Sequence, residues 1–184
     1  MTIFGIDPGS DRTGYGCVDT DGSRHRLVAS GAIISPSRTA FPDKLLKIHT
    51  SLADLLRDCR PDCVAIENVF HGVNPRSALK LGHARGVAML AAVEAGVPVF
   101  EYTPAEIKRA VVGSGRAEKQ QIQHMVALLL GLTRVPTPYD AADALAVALC
   151  HAHSAATGRV VAAAAGAGRA KSAASWRQYR PARS

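Results

Sequence analysis

The chain has 184 residues, of which 47% are hydrophobic and 20% are charged, as is typical of one globular domain with a substantial core. This balance excludes disorder throughout, and we expect a cytoplasmic protein without a membrane span or a secretion leader. The four cysteines include no Cys-x-x-Cys pair, so neither a zinc ribbon nor a disulfide framework is expected.

The net charge of +7 comes mainly from the C-terminal end of the chain. Six of the 22 basic residues and none of the 15 acidic residues lie in residues 155–184, an Ala- and Gly-rich stretch of low complexity. We therefore expect a folded domain at 1–154 and a disordered basic tail at 155–184. The tail is either a solubilising extension or an auxiliary contact to DNA or a partner.

The N-terminal third predicts three antiparallel strands and a helix. The strands are TIFGID, GYGCVDT and HRLVASGAII, and Asp21-Gly22 marks a hairpin turn between the second and the third. Apolar residues at helical spacing predict a helix from Pro42 to Cys59, which Pro61-Asp62 ends before a fourth strand, CVAIE.

The rest of the domain predicts four helices and one strand. A helix over RSALKLGHARGVAMLAAVEAG precedes the strand VPVFEY, and three helices follow over PAEIKRAVV, AEKQQIQHMVALLLG and PYDAADALAVALCHAH. We therefore predict an α/β fold, a mixed sheet of about five strands flanked by helices.

The end of the first strand raises a question of charge. Gly9 and Gly14 have the spacing of a phosphate-binding loop, but Asp7, just ahead of them, has the wrong charge to cradle phosphate. Asp7 ends the first strand and Glu67 ends the fourth, and a crossover would make these strands parallel, so both carboxylates face the crevice beyond the strand ends. The glycines then serve the turn into the second strand.

Two more acids lie in the first turn of the last helix. Asp140 and Asp143 are three residues apart, hence on one face of a helix whose continuation is almost entirely apolar. Asp140 has a structural alternative as the capping-box acid of a helix that begins at Thr137 and Pro138. The alternative for Asp143 is weaker, because an acid in an apolar helix is costly to bury without a hydrogen bond or a cation.

Asp7, Glu67, Asp140 and Asp143 are thus expected at one edge of the sheet. Two carboxylates about 4 Å apart repel by roughly 4 kcal/mol at an effective dielectric constant of about 20, so the cluster must bind protons or divalent metal. Oxygen ligands suit Mg²⁺ or Mn²⁺, and paired ions of this kind stabilise the attacking and leaving oxygens in phosphodiester cleavage. The residues alone predict metal-dependent phosphoryl chemistry.

Five blocks resemble, in order, the motifs of the RuvC family of Holliday junction resolvases: GIDPGSDRTGYG, AIENVF, SALKLGHARGV, VVGSGRAEKQQIQHMV and DAADALAVALCHAH. The resemblance implies a ribonuclease H-like fold and a homodimer that makes paired symmetric nicks in four-way DNA junctions, leaving 5′-phosphate and 3′-hydroxyl ends, in recombination and repair. It implies that Asp7, Glu67, Asp140 and Asp143 bind two Mg²⁺ ions, for which Mn²⁺ substitutes. It also implies a junction branch-migration complex of RuvA and RuvB type as a partner.

Lys108 and Lys119 match family lysines near the scissile phosphate. An acidic metal site needs nearby cations to hold a polyanion, which supports the match on chemical grounds. Without the match, both would be interpreted as solvated lysines on helices.

The resemblance also implies contacts to DNA. Phe70 matches an aromatic residue that stacks on a base near the junction crossover, although loop packing is an alternative. Some relatives have a basic residue in the next segment, where this chain has His71-Gly72-Val73. Arg76 and Lys80 are candidates to replace that contact.

The helix that begins near Arg76 has small and apolar residues on one face: Leu79, Gly82, Gly86, Met89, Leu90 and Val93. Core packing explains this stripe on its own, whereas the resemblance implies the interface of a symmetric dimer.

Other classes share part of these features. Actin-like sugar kinases and ATPases also begin with a strand and loop like IDPGS. They need a second nucleotide-binding lobe, for which this chain has no room, so this class is not expected. The four acids argue against a non-catalytic junction-binding module. A transposase-like or RNA-processing nuclease of the same fold is separated by AIENVF and AEKQQIQHMV.

Overall fold

The computed structural model describes residues 1–68 and 74–158. Its elements are β1 (Thr2–Asp7), β2 (Arg12–Thr20), β3 (His25–Ile34), α1 (Phe41–Cys59), β4 (Cys63–Glu67), α2 (Pro75–Glu94), β5 (Val99–Tyr102), α3 (Pro104–Val112), α4 (Lys119–Leu129) and α5 (Tyr139–Ala156). Every predicted strand and helix is present, with some boundaries shifted. The largest shift is at α5, which ends at Ala156 rather than at His153, and β2 begins at Arg12 rather than at Gly14.

The five strands form one mixed sheet in the order β3-β2-β1-β4-β5. β1, β2 and β3 pair antiparallel, and β1 with β4 and β4 with β5 pair parallel. The predicted arrangement of three antiparallel and two parallel strands is therefore confirmed, and β1 and β4 end at the same edge.

The connection from α1 to β4 sets the register that matters for the site. α1 is capped by Arg60, a residue with the left-handed φ of 44°, whose backbone N–H donates to Leu56 O. The backbone N–H of Asp62 donates to Thr2 O, and the Asp62 carboxylate accepts from the backbone N–H of Thr2. These two bonds fix the start of β4 beside β1, so that Ile6 pairs with Ile66 and the strands end together.

Apolar layers cover both faces of the sheet. On one face α1 packs through Ile48, Leu52 and Leu56, beside four buried alanines of α2. On the other face lies α5, buried along almost its whole length, with α3 and α4 against it. A fully buried leucine or isoleucine contributes roughly 1.5–3 kcal/mol. α5 is thus a central element of the core, although its first turn carries two acids.

α5 lies directly on β1 and β2 because glycines occupy the contact positions. A Cβ added to Gly5 would lie 2.1 Å from the carbonyl oxygen of Ala144, and one added to Gly14 would lie 2.0 Å from that of Asp140. The prediction that Gly14 serves the turn is therefore incomplete, because Gly14 pairs with Asp7 inside the β1–β2 ladder. Only a hydrogen atom fits between the strand and the helix here.

The domain boundary and the tail are only partly covered by the structure. α5 continues to Ala156, so the first residues assigned to the tail at 155–184 are helical. Residues 159–184 lie outside the described part of the chain. Across 1–68 and 74–158, each helix is too short or too polar to span a bilayer. All four cysteines are free thiols.

Candidate active site

Asp7 and Glu67 meet at the edge of the sheet where β1 and β4 end. Their carboxyl groups are hydrogen-bonded to each other. Burial, followed by the negative charges of Glu67, Asp143 and Asp140, raises the pKa of Asp7 to about 8. Burial also raises the pKa of Glu67. In the metal-free protein, both shifts favour a proton shared between the two carboxyl groups.

The first turn of α5 places Asp140 and Asp143 beside this pair. The N-cap residue is Pro138, and no side chain caps the helix, so the interpretation of Asp140 as a capping-box acid is wrong. Asp140 instead accepts a hydrogen bond of 2.7 Å from Arg12 Nε, and Asp143 accepts one of 2.7 Å from Lys119 Nζ. Both carboxylates are thus held by a cation.

The two predicted lysines also lie at the acids. A cavity of about 220 Å³ is lined by Glu67, Lys108, Lys119 and Asp143, with apolar side chains of α3, α4 and α5 completing its wall. The hydrogen bond to Asp143 raises the pKa of Lys119. Both lysines favour the ionised form of Glu67 through their charge. Residues from β4, α3, α4 and α5 therefore converge on one cavity.

Arg12 is a site residue that the sequence patterns did not reveal. Its ion pair with Asp140 is half-exposed, and Arg12 is the first residue of β2. The signal that could have identified it is the hairpin. Because β1 and β2 are antiparallel, the first residues of β2 lie beside Asp7, at the same edge of the sheet.

The chemistry of the cluster fits a hard divalent cation. All four acids offer carboxylate oxygens, the ligands that Mg²⁺ and Mn²⁺ prefer. Within residues 1–68 and 74–158 they do not form a ready-made centre of three ligands, and Arg12 and Lys119 hold two of them. One proton and two cations thus offset three of the four negative charges, and a bound divalent ion would replace part of that compensation.

The structure describes only some of the residues that were predicted to contact DNA. Arg76 and Lys80 are exposed on the N-terminal half of α2, outside the 220 Å³ cavity. Lys80 Nζ lies 5.7 Å from the ring centroid of Phe41, the first residue of α1. Phe70 and the segment His71-Gly72-Val73 lie outside the described residues.

Comparison with known proteins settles the family. Residues 3–151 match the family model described as crossover junction endodeoxyribonuclease RuvC. The chain belongs to this family. A curated RuvC from Citrifermentans bemidjiense is 54% identical over 155 residues, which are 84% of this chain and 94% of that protein. A RuvC from Bordetella avium is 52% identical over 84% of each chain.

The solved structures agree with this assignment. The structure of Thermus thermophilus RuvC in complex with a Holliday junction substrate superimposes with a TM-score of 0.82 at 38% identity, covering 86% of this chain and 96% of that one. The predicted ribonuclease H-like fold of this RuvC family member is thereby confirmed.

Proposed function

We propose that this RuvC family member is a homodimeric Holliday junction resolvase that makes paired symmetric nicks by metal-dependent hydrolysis. The chain is an endodeoxyribonuclease by family, a hydrolase of phosphodiester bonds. The observation that carries the proposal is the convergence of Asp7, Glu67, Asp140 and Asp143 at one edge of the sheet, with Lys119 and Lys108 beside them. The products are a 5′-phosphate and a 3′-hydroxyl in each nicked strand.

We assign the four acids as metal ligands. Bound Mg²⁺, or Mn²⁺ in its place, supplies Lewis acidity and an activated water for attack on the phosphodiester, and the site has enough carboxylates for two ions. The shared proton of Asp7 and Glu67 must leave for both carboxylates to serve as ligands. Metal binding is therefore coupled to proton release.

Arg12 and Lys119 have a second role in this proposal, which is to bind the phosphate of the substrate. Arg12 and Lys119 neutralise Asp140 and Asp143 in the metal-free protein. With metal held at these acids, both cations would be available to bind the scissile phosphate, together with Lys108, which lines the same cavity as Lys119. A phosphate oxyanion gains most from donors that are already in position.

The substrate preference can be tested with the wild-type chain. We expect a synthetic four-way junction to be nicked in two strands of like polarity, at least about a hundredfold faster than a linear duplex of the same sequence. An RNA–DNA hybrid should be cleaved as slowly as the duplex. Denaturing gels with Mg²⁺ or Mn²⁺ measure the rates, and ligation of the products checks their ends. Equal rates on junction and duplex, or a preference for the hybrid, would contradict the proposal.

We place the dimer interface on the exposed face of α2. Leu79, Leu90 and Val93 are 64%, 50% and 65% exposed, and they are among the most exposed large apolar side chains of the described residues. Gly82 and Gly86 lie between them and form the floor of a shallow groove of about 470 Å³. Met89 of the predicted stripe packs against the core, but core packing does not explain its exposed members. A self-complementary patch of this kind suits a symmetric dimer.

Introducing charge on this face should prevent dimerisation. We expect Leu79→Glu combined with Leu90→Glu to raise the dimer dissociation constant more than about a hundredfold, because carboxylates would be buried without partners. Sedimentation equilibrium distinguishes the chain mass of 19.3 kDa from twice that value. Leu128→Glu, at a leucine that is 72% exposed on α4, is the matched control. Dissociation by the control alone, or a dimer that survives the double substitution, would place the interface elsewhere.

Two further assignments concern the cell and the DNA. We propose that the protein acts in the cytoplasm, on junctions processed by a branch-migration complex of RuvA and RuvB type. We also propose that Phe70 stacks on an unpaired base at the crossover, while Arg76 and Lys80 bind the DNA backbone. Unpaired bases offer an aromatic side chain a free face, which a relaxed duplex does not.

A further inference from the structure

A small polar network lies directly behind the acid cluster. Asn68, the residue after Glu67, donates from Nδ2 to Glu101 Oε2 over 3.1 Å. Arg85 of α2 forms an ion pair of 2.6 Å with the same oxygen. The backbone N–H of Asn68 also donates to Tyr102 O over 2.7 Å. The Asn68–Glu101–Arg85 network therefore joins β4, β5 and α2 at one carboxylate.

The network anchors the chain where the site needs it. Glu67 pairs with Tyr102 at the end of the β4–β5 ladder, and Asn68 is the first residue beyond it. Because a peptide plane links Glu67 to Asn68, fixing Asn68 restricts the backbone that carries the Glu67 carboxylate. The same anchor precedes Phe70. Through Glu101, Arg85 of α2 is therefore linked to Asn68, the residue at which the connection from β4 to α2 begins.

Stability alone does not explain this arrangement. Arg85 and Glu101 are partly exposed, with side-chain exposures of 22% and 35%, and such ion pairs contribute little to folding. Asn68 Oδ1 and Arg85 Nε are buried and have no hydrogen-bond partner among the described residues. Burying an acceptor and a donor without partners costs free energy. Costly polar arrangements of this kind concentrate at functional sites.

The orientation of the Asn68 amide is set by charge. Its nitrogen faces the Glu101 carboxylate, and a flipped amide would place two oxygens against each other. Arg85 supplies the positive charge that holds the Glu101 carboxylate in place. The network is thus directional: Arg85 holds Glu101, and Glu101 holds Asn68.

We propose that Arg85 and Glu101 are positioning residues for the acid cluster, acting through Asn68 on the orientation of Glu67. They touch neither substrate nor metal. This inference rests on the assignment of Glu67 as a metal ligand. Residues that orient a ligand typically change metal affinity or activity by about 10–100-fold when they are replaced.

The test is the affinity of the full-length chain for Mn²⁺ alone, measured without DNA by electron paramagnetic resonance. Glu101→Gln keeps the shape of the side chain but removes the charge that binds Arg85 and Asn68. We expect it to weaken Mn²⁺ binding about tenfold and to slow single-turnover junction cleavage about tenfold at equal Mn²⁺. Junction affinity in EDTA and the dimer mass should not change.

Glu94→Gln is the matched control. Glu94 is the last residue of α2 and accepts a hydrogen bond of 2.8 Å from His49 Nε2, in another half-exposed pair. It should match the wild type in Mn²⁺ affinity and cleavage. If Glu101→Gln lowers the melting temperature more than this control, Arg85→Lys is measured instead, since it keeps the charge and loses the planar fork. We expect several-fold weaker Mn²⁺ binding at normal stability.

Mn²⁺ affinity within twofold of the control would overturn the proposal. So would a loss of affinity that disappears when the variants are compared at a temperature where each is fully folded. Because Mn²⁺ binding is measured without DNA, this result stands apart from the proposed function. A wild-type chain that binds Mn²⁺ but does not resolve junctions would reject the function and leave the positioning role to be decided by the variants.

Discussion

Asp7→Asn should reduce the rate of junction cleavage at least about 10³-fold, a loss of about 4 kcal/mol of transition-state stabilisation. Asp7 is the centre of the cluster, because Glu67, Asp143 and Asp140 all act on its ionisation. The amide keeps the size of the side chain and a donor for Glu67 but removes one anionic ligand. Single-turnover cleavage of a labelled four-way junction in Mg²⁺ measures the effect.

The same variant should still dimerise and bind the junction, because the proposed dimer face and Arg76 and Lys80 lie on α2. Asp54→Asn is a suitable control, since Asp54 is an exposed acid paired with Arg57 on α1. Normal cleavage by Asp7→Asn would remove Asp7 from the ligand set. Loss of folding would show that its role is structural.

The second large effect is on the stability of the metal-free protein. Burial and the neighbouring acids raise the pKa of Asp7 from 3.8 to about 8, so the folded state holds a proton that the unfolded state has released across this window. Wild-type stability in EDTA should therefore fall as pH rises from about 4 to about 8. Asn carries no ionisable group, so Asp7→Asn does not lose stability in this way as the pH rises. We expect the variant to be more stable above pH 8 by up to about 5 kcal/mol, which raises the melting temperature by roughly 10–20 °C.

Thermal unfolding in EDTA across this pH range checks the sign. The advantage of Asp7→Asn should be absent near pH 4, grow up to pH 8 and then level off. Saturating Mg²⁺ should reverse it, because metal binding stabilises only a chain with an intact site. A variant that is less stable than wild type at pH 8.5, or an advantage independent of pH, would show that burial and neighbouring charges do not raise the pKa of Asp7.

Local patterns were enough to predict the secondary structure and one edge of the site. Strands and helices follow from apolar periodicity. The crossover between β1 and β4 makes these strands parallel, so they end at the same edge of the sheet and bring Asp7 and Glu67 together there. The start of β2 was missed because Arg12 and Thr13 are polar, whereas Thr13 is fully buried and donates its hydroxyl to Gly9 O. Polar residues that satisfy each other in a tight turn carry no apolar signal.

Partners that meet only through tertiary structure could not be predicted. The ion pair of Arg12 and Asp140 joins residues 128 positions apart. Thr137, Pro138 and Asp140 have the pattern of a helix start. The local sequence does not indicate whether a distant arginine will form an ion pair with the Asp140 carboxylate. The Asn68–Glu101–Arg85 network likewise depends on the register of β4 and β5.

The glycine contact between the sheet and α5 has a consequence for mutational tolerance. Buried side chains elsewhere can change rotamer when a neighbour changes size, and cores absorb such substitutions at moderate cost. At Gly5 and Gly14 the neighbouring atoms are backbone carbonyl oxygens, which have no rotamer to change. One added methyl group must then move the whole helix, and with it Asp140 and Asp143. Gly5 and Gly14 are therefore among the least replaceable residues of the domain. The backbone contact at these glycines sets the distance between the acids on the strands and the acids on α5.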